Sequence, residues 1–153
     1  MDTIDKETRS KIMSKVGQKA TAPEMKLRKA LFSRGFRYRV NVKKLPGSPD
    51  LVFKKYKAVI FVHGCFWHRH EGCKYATMPK TRVEFWSAKF KTNIERDKQN
   101  IQKLIAEGWR VLVIWECVIK NKNEGSFHNV LDKVERWISS DESFKEIPTQ
   151  KKI

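Results

Sequence analysis

Two apolar runs separated by one long capped helix constrain this chain more than any other feature. Ala58-Val-Ile-Phe-Val62 is uniformly apolar, as expected of a strand buried on both faces, and Arg110-Val-Leu-Val-Ile-Trp115 repeats that character. Between them Thr81-Arg-Val-Glu84 reads as a capping box that opens a helix running to Glu107, with Gly108 as its stop. Phe90, Ile94, Ile101, Leu104 and Ile105 form its apolar stripe, which Asp97 interrupts. A strand, a crossover helix and a second strand make a right-handed unit in which the strands are parallel. Their C-terminal ends then lie together, and Cys117 comes within reach of Cys65 although the two are far apart in sequence.

The stretch that follows the first strand is rich in ligands. Gly64 breaks the apolar run, and Cys65, His68, His70 and Cys73 follow within nine residues, beside Phe66 and Trp67. Three of the four histidines and two of the three cysteines lie between residues 58 and 73. Cys65, Cys73, Cys117 and one histidine would supply a Cys₃His set that closes a structural zinc site. Spacing alone does not choose between His68 and His70. The plainer account is an ordinary buried thiol at Cys117 and incidental neighbours elsewhere. Three cysteines cannot all pair within one chain, which points to a reducing compartment.

A second site is predicted at the end of the first strand. Thr21-Ala-Pro-Glu24 is a helix start with Thr21 as N-cap and Glu24 completing a capping box; Leu27, Ala30 and Leu31 give the buried face, and Gly35 ends the helix. Phe36-Arg-Tyr-Arg-Val40 alternates like a half-buried strand, and Pro46-Gly-Ser-Pro49 is turn chemistry leading into a strand from Asp50 to Phe53. A hairpin that pairs Phe53 with Val59 brings Asp50 opposite Val62. The Asp50 carboxylate, the Val62 carbonyl and His63 then converge, as in a hard-cation nuclease site for Mg²⁺. The bland alternative for Asp50 is a loop-capping carboxylate after proline. A histidine not used by zinc is available as general acid or base. Glu24 is equally a capping residue, and Asp97 equally a solvated helix carboxylate. Phe66, Trp67 and Trp86 read either as core aromatics or as wedges between base pairs.

Length and charge bound the rest. The 153 residues suit one α/β domain, spanning 21–138, with a final amphipathic helix from Ser126 to Ile138. Residues 139–153 read as a polar tail. Residues 1–20 read as a basic arm whose weak stripe of Ile12, Met13 and Val16 orders only on a partner. The chain carries 33 Lys and Arg against 17 Asp and Glu, a formal charge of +16 that calls for a polyanionic partner. Thirteen of those cations, against five acids, fall in the first fifty residues. Five tryptophans and nine phenylalanines favour nucleic acid, on whose bases they stack, over an anionic membrane surface. No apolar run of about eighteen residues exists and no signal peptide is evident, so the expectation is a soluble intracellular protein without membrane contact.

Taken together, Thr8-Arg-Ser-Lys-Ile-Met13, Thr21-Ala-Pro-Glu24, Pro46-Gly-Ser-Pro-Asp50, the run from Val59 to Cys73, Thr81-Arg-Val-Glu-Phe-Trp86, Asn93-Ile-Glu-Arg-Asp97 and Gly108 to Cys117 closely resemble the bacterial very short patch repair endonucleases. The resemblance spans roughly residues 5 to 138. It implies a restriction-endonuclease-like core, a mixed β-sheet flanked by helices, with Phe61-Val62-His63 where related nucleases carry an acid-x-lysine. It implies a strand-specific, cytoplasmic mismatch endonuclease that nicks double-stranded DNA 5′ of the thymine in a T·G mispair left by 5-methylcytosine deamination. By the same resemblance Asp50 is a Mg²⁺ ligand with the Val62 carbonyl, His68 is the catalytic base or acid, and His63, Glu24 and Asp97 support it. Cys65, His70, Cys73 and Cys117 are implied as structural Zn²⁺ ligands, Phe66, Trp67 and Trp86 as intercalating aromatics, and the N-terminal helix as a minor-groove contact. The reading is of a monomer, with mismatch-repair proteins as further partners left open. Val62 is a departure, since some members carry threonine there; a metal held by the backbone carbonyl is indifferent to that side chain. A restriction-type nuclease of the same fold, or a non-catalytic zinc-stabilised DNA-binding protein, are the competing readings.

Overall fold

A five-stranded mixed sheet in the order β1-β2-β3-β4-β5 forms the centre of the computed structural model, which describes residues 21–120 and 123–148. The basic arm expected over residues 1–20 lies outside the described residues. In chain order the elements are α1 (Ala22–Ser33), β1 (Arg39–Val40), β2 (Leu51–Phe53), β3 (Ala58–His63), α2 (Val83–Ala106), β4 (Arg110–Trp115), α3 (Glu116–Lys120), α4 (Glu124–Ile138) and β5 (Phe144–Ile147). β1, β2 and β3 are antiparallel neighbours, whereas β3, β4 and β5 run parallel.

The parallel β3–α2–β4 unit is present as the apolar runs predict, with His63 paired to Trp115 at its C-terminal end. Alternation across the sheet splits the core in two. Leu51, Phe53, Ala58, Ile60, Leu112 and Ile114 face α1 and α4, whose Leu27, Leu31, Phe127, Leu131, Val134 and Trp137 complete the larger cluster. Val52, Val59, Phe61, Val111, Val113 and Trp115 face the other way, where Leu104 is the one fully buried residue that α2 adds to that cluster. The reason is length. α2 has 24 residues, roughly 36 Å at about 1.5 Å each, whereas a six-residue strand covers only about 20 Å. The N-terminal half of α2 therefore overhangs the C-terminal edge of β3 and β4. Ile94, at the end of that half, is only half-buried in consequence; in the other half Ile101 is also half-buried and Ile105 is exposed.

Four local expectations are corrected. The β2–β3 hairpin pairs Phe53 with Ala58 rather than Val59, because the 3-10 turn Lys54–Tyr56 and a left-handed Lys57 close it one residue tighter. That register keeps Leu51, Phe53, Ala58 and Ile60 on one buried face, which a one-residue slip would invert. The capping box at Thr81 does not form: Arg82 occupies the N-cap position with a left-handed backbone and no side-chain cap. The strand expected from Phe36 pairs only at Arg39 and Val40, while Phe36 and Tyr38 pack onto the larger core. Phe144–Ile147, read as part of a polar tail, is strand β5 on β4. At α1, by contrast, the Thr21 hydroxyl accepts the Glu24 N–H at 3.4 Å, as the sequence predicts.

Candidate active site and metal centre

The C-terminal end of β3 carries functional side chains in both directions because strand residues alternate and the chain then turns sharply at Gly64. His63, the last residue of β3, is buried against Phe61, Trp115 and His68. The loop leaving Gly64 is fixed by the backbone: the His68 N–H donates to the Gly64 carbonyl and the His70 N–H to that of Cys65. These turns place His68 back over β3. Its imidazole stacks on His63 at 3.9 Å between centroids and 5° between planes, and its Nδ1 lies 2.6 Å from Asp97 Oδ2 on α2.

Asp50 enters the same cavity from the turn before β2. Its Oδ2 accepts the Val62 N–H at 2.7 Å, which holds the carboxylate beside the strand end although the register is one residue from that expected. Gly47 makes this approach possible: its φ is +76°, and an added Cβ would lie 3.1 Å from both Asn100 and Phe61. Glu24 comes from the first turn of α1, paired with Arg28 at 3.4 Å. The cavity, about 210 Å³, is lined by Glu24, Asp50, Val62, His63, His68 and Asp97 among others. All five side chains predicted for catalysis, and the residue predicted to offer a carbonyl, therefore meet in one place.

The electrostatics suit a cation. Burial, and then the nearby Asp50, pushes the Glu24 carboxyl up to about 7. Asp50 is also raised by burial, partly offset by the Val62 N–H and by Arg28. Two desolvated carboxyls side by side, both raised by burial, offer hard oxygen donors of the kind Mg²⁺ takes. Burial, reinforced by the adjacent His68, keeps His63 neutral well below the usual histidine range.

The second cluster lies across Trp115. Cys65, His70, Cys73 and Cys117 place one ligand atom each within 4.8 Å of all the others. His70 Nδ1 lies 3.7 Å from Cys65 Sγ and 3.5 Å from Cys117 Sγ. Tetrahedral zinc, with Zn–S about 2.3 Å and Zn–N about 2.0 Å, spaces neighbouring ligand atoms roughly 3.5–3.8 Å apart, so the donor set fits that ion. Burial pushes the Cys65 and Cys117 thiols up, helped by Cys117 at Cys65 and by Cys73 at Cys117, a cost that a bound divalent cation would remove. His70, not His68, faces the cysteines, and this separates the two histidines that spacing left equivalent. Cys117 arrives in the first residues of α3, where the parallel strands bring it.

The aromatics form a third group. Phe66 contacts Trp67, Trp86 and Phe90 edge-on at 5.2, 5.8 and 5.2 Å, and Trp67 lies 5.9 Å from Trp86. Phe90 is the buried base of the group, whereas Trp67 is 48% exposed and Phe85 49%. Neither Phe85 nor Trp86 is taken into the core. The overhang of α2 thus carries an apolar surface beside the cavity.

Two contributors have no sequence signal. Arg69, with φ +57°, donates to the carbonyls of Phe66, Ala76 and Thr77 and lies 4.0 Å over the Phe90 ring, which clasps the loop onto itself. Asn93 on α2 donates to the Trp67 carbonyl at 3.2 Å. Only the charged, amide and aromatic residue types are visible in sequence; the turns that aim them are not. No helix of the described residues is long and apolar enough to cross a membrane.

Comparison with known proteins matches residues 1–74 to the family model described as DNA mismatch endonuclease Vsr. Over 149 residues the chain is 41% identical to the DNA mismatch endonuclease Vsr of Escherichia coli strain K12, covering 97% of this chain and 95% of that protein. It is 44% identical to the type II nicking enzyme V.XorIIP of Xanthomonas oryzae, covering 86% and 97% respectively. Against the type II nicking enzyme V.NmeAIP of Neisseria meningitidis the identity is 46%, with 79% of this chain and 86% of the relative covered.

Proposed function

Since the chain belongs to the family of Vsr DNA mismatch endonucleases, we propose that it nicks duplex DNA 5′ of the thymine in a T·G mispair, by magnesium-dependent hydrolysis of the phosphodiester. The observation that carries this reading is the convergence of Asp50, Glu24, His63, His68 and Asp97 on one cavity. When bound by Asp50 and the Val62 carbonyl, Mg²⁺ supplies a Lewis acid for the phosphate and acidifies a coordinated water.

The chain's own groups orient and move protons. The Val62 N–H fixes the Asp50 carboxylate, and Glu24 adds a second oxygen donor that is half-neutral near pH 7 until a cation enters. Asp97 accepts from His68 Nδ1–H, which leaves Nε2 with a free lone pair to take the proton of the attacking water. His63, neutral and packed against His68, limits the tilt of that ring. Phe66, Trp67 and Trp86 are the wedge that opens the stack beside the mismatch, and the +16 charge holds the phosphate backbone. Cys65, His70, Cys73 and Cys117 hold a structural Zn²⁺, a four-ligand set with no open position. The protein acts as a monomer in the bacterial cytoplasm, where mismatch-repair proteins are candidate partners.

A nicking assay on paired T·G and matched duplexes tests the reading. Mg²⁺-dependent nicking of the mismatched strand, abolished in Asp50→Ala with binding retained, is the expected result. Equal cleavage of both duplexes would indicate a restriction-type nuclease. No divalent-dependent cleavage would indicate a non-catalytic binding protein.

A further inference from the structure

One line of rings joins the cysteine cluster to the cavity, and we infer that Trp115 is a positioning residue through which the bound cluster orders the His63–His68 pair. The inference rests on the reading of that cavity as the nicking site. Trp115 ends β4, and strand alternation turns its indole, with Val111 and Val113, toward the face that carries α2. There it stands between the two sites. His70, whose Nδ1 faces two cysteine sulfurs, stacks on the indole at 4.4 Å with 9° between planes. His63 meets the same indole edge-on at 5.2 Å, and His63 in turn stacks on His68.

The indole is 5% exposed, and its breadth spans both histidines. Its Nε1 has no partner within bonding distance, yet the N–H lies close enough to the Glu146 carboxylate of β5 to offset part of the rise that burial gives that group. Phenylalanine lacks the breadth to touch both His70 and His63. The arrangement also explains why a loop residue can serve a strand-built site. His68 sits on the loop that carries three of the four cluster ligands, so its freedom depends on that cluster. His70 lies on the face of one rigid ring and His63 against its edge, and the loop between Cys65 and Cys73 is thereby indexed to the end of β3.

The test compares wild type, Trp115→Leu and Trp115→Phe, each loaded with zinc. Single-turnover nicking at saturating enzyme, duplex affinity, bound zinc, thermal midpoint and the rate of zinc loss to a chelator are measured for each. Trp115→Leu is expected to slow nicking about 10- to 100-fold, the scale of a misplacement near 1 Å, with affinity within about twofold and zinc still stoichiometric. Trp115→Phe, which keeps a ring on His70 but does not reach His63 as well, should nick at a rate between those of wild type and Trp115→Leu. Because the indole also packs on the ligand His70, Trp115→Leu should release zinc faster than wild type. An unchanged saturating rate in Trp115→Leu overturns the inference, as does a loss in both variants that merely follows the folded fraction. If Trp115→Leu does not fold, Trp115→Met takes its place. Should wild type not nick the duplex, the reading of the cavity fails instead, and equal zinc release from wild type and variant then overturns the coupling by itself.

Discussion

His68 and Asp97 share a short hydrogen bond, 2.6 Å from Nδ1 to Oδ2, although one comes from the loop after β3 and the other from the middle of α2. The bond selects the tautomer with its proton on Nδ1 and turns Nε2 into the cavity. Asp97→Asn keeps the size of the side chain, but its amide can donate to Nδ1 and so invert the tautomer. The expected outcome is a fall of about 10²-fold in the single-turnover nicking rate, the usual scale for general acid–base catalysis, with little change in duplex affinity. Stopped-time nicking on a labelled mismatched duplex, alongside a binding titration, checks it; a rate within twofold of wild type would remove Asp97 from the site.

The Glu24–Asp50 pair carries a pH signature of the metal-free protein. Glu24 is raised from 4.5 to about 7, first by burial and then by Asp50, so the folded state binds a proton that the unfolded state has already released. Stability from this group is therefore greatest below the unfolded value and is lost as pH rises from about 4.5 through about 7. In chelator, Glu24→Gln should remove that loss and stabilise the protein at pH 8 by on the order of 2 kcal/mol relative to wild type, with the gain vanishing near pH 4. Denaturant unfolding of both proteins at several pH values measures the difference. Added Mg²⁺ should narrow it at pH 8, because the cation stabilises the charged pair in wild type alone.

Legibility in sequence followed how many neighbours each residue must satisfy. β3 and β4 were readable because both faces are buried, and α4 because Phe127, Val130, Leu131, Val134, Trp137 and Ile138 all face the core. β5 was not, since only Ile147 of its four residues is buried and Phe144 is exposed. The Thr81 capping pattern misplaces the start of α2, because a left-handed Arg82, rather than the hydroxyl of Thr81, ends the loop. Within the site, the types Asp, Glu, His and Cys announced themselves, and the parallel strands predicted that Cys117 meets Cys65. What spacing did not carry was direction: His68 and His70 are two residues apart, and only the turns after Gly64 send one toward Asp97 and the other toward the cysteines. Nothing in the stretch around Trp115 distinguishes it from an ordinary strand residue or reveals that two histidines touch it.

The cysteine cluster should govern stability as well as local order. A closed four-ligand zinc site contributes folding energy directly, because the unfolded chain does not present the ligands together. Purified protein should hold one zinc per chain by elemental analysis, and Cys117→Ser should lose most of it and unfold at a markedly lower temperature. Cys117 is the informative choice since it is the only ligand outside the 64–82 loop, so its loss detaches the loop from the strand-built half of the site. Absence of stoichiometric zinc in wild type would remove the basis for the assignment.

Trp67 separates recognition from attraction. It is 48% exposed and contributes little to the core, so Trp67→Ala should leave the thermal midpoint nearly unchanged. Phosphate contacts from the many surface cations supply sequence-independent affinity, which the substitution does not touch. A stacking aromatic is worth about 1–3 kcal/mol per base, so T·G duplex binding should weaken about tenfold or more, while matched duplex binding changes by less than about threefold. Titrations of both duplexes at one fixed salt concentration decide it, because the electrostatic term would otherwise mask the difference. Equal weakening on the two duplexes would mean that Trp67 serves general contact, and that the wedge is formed by Phe66 and Trp86 on the overhang of α2.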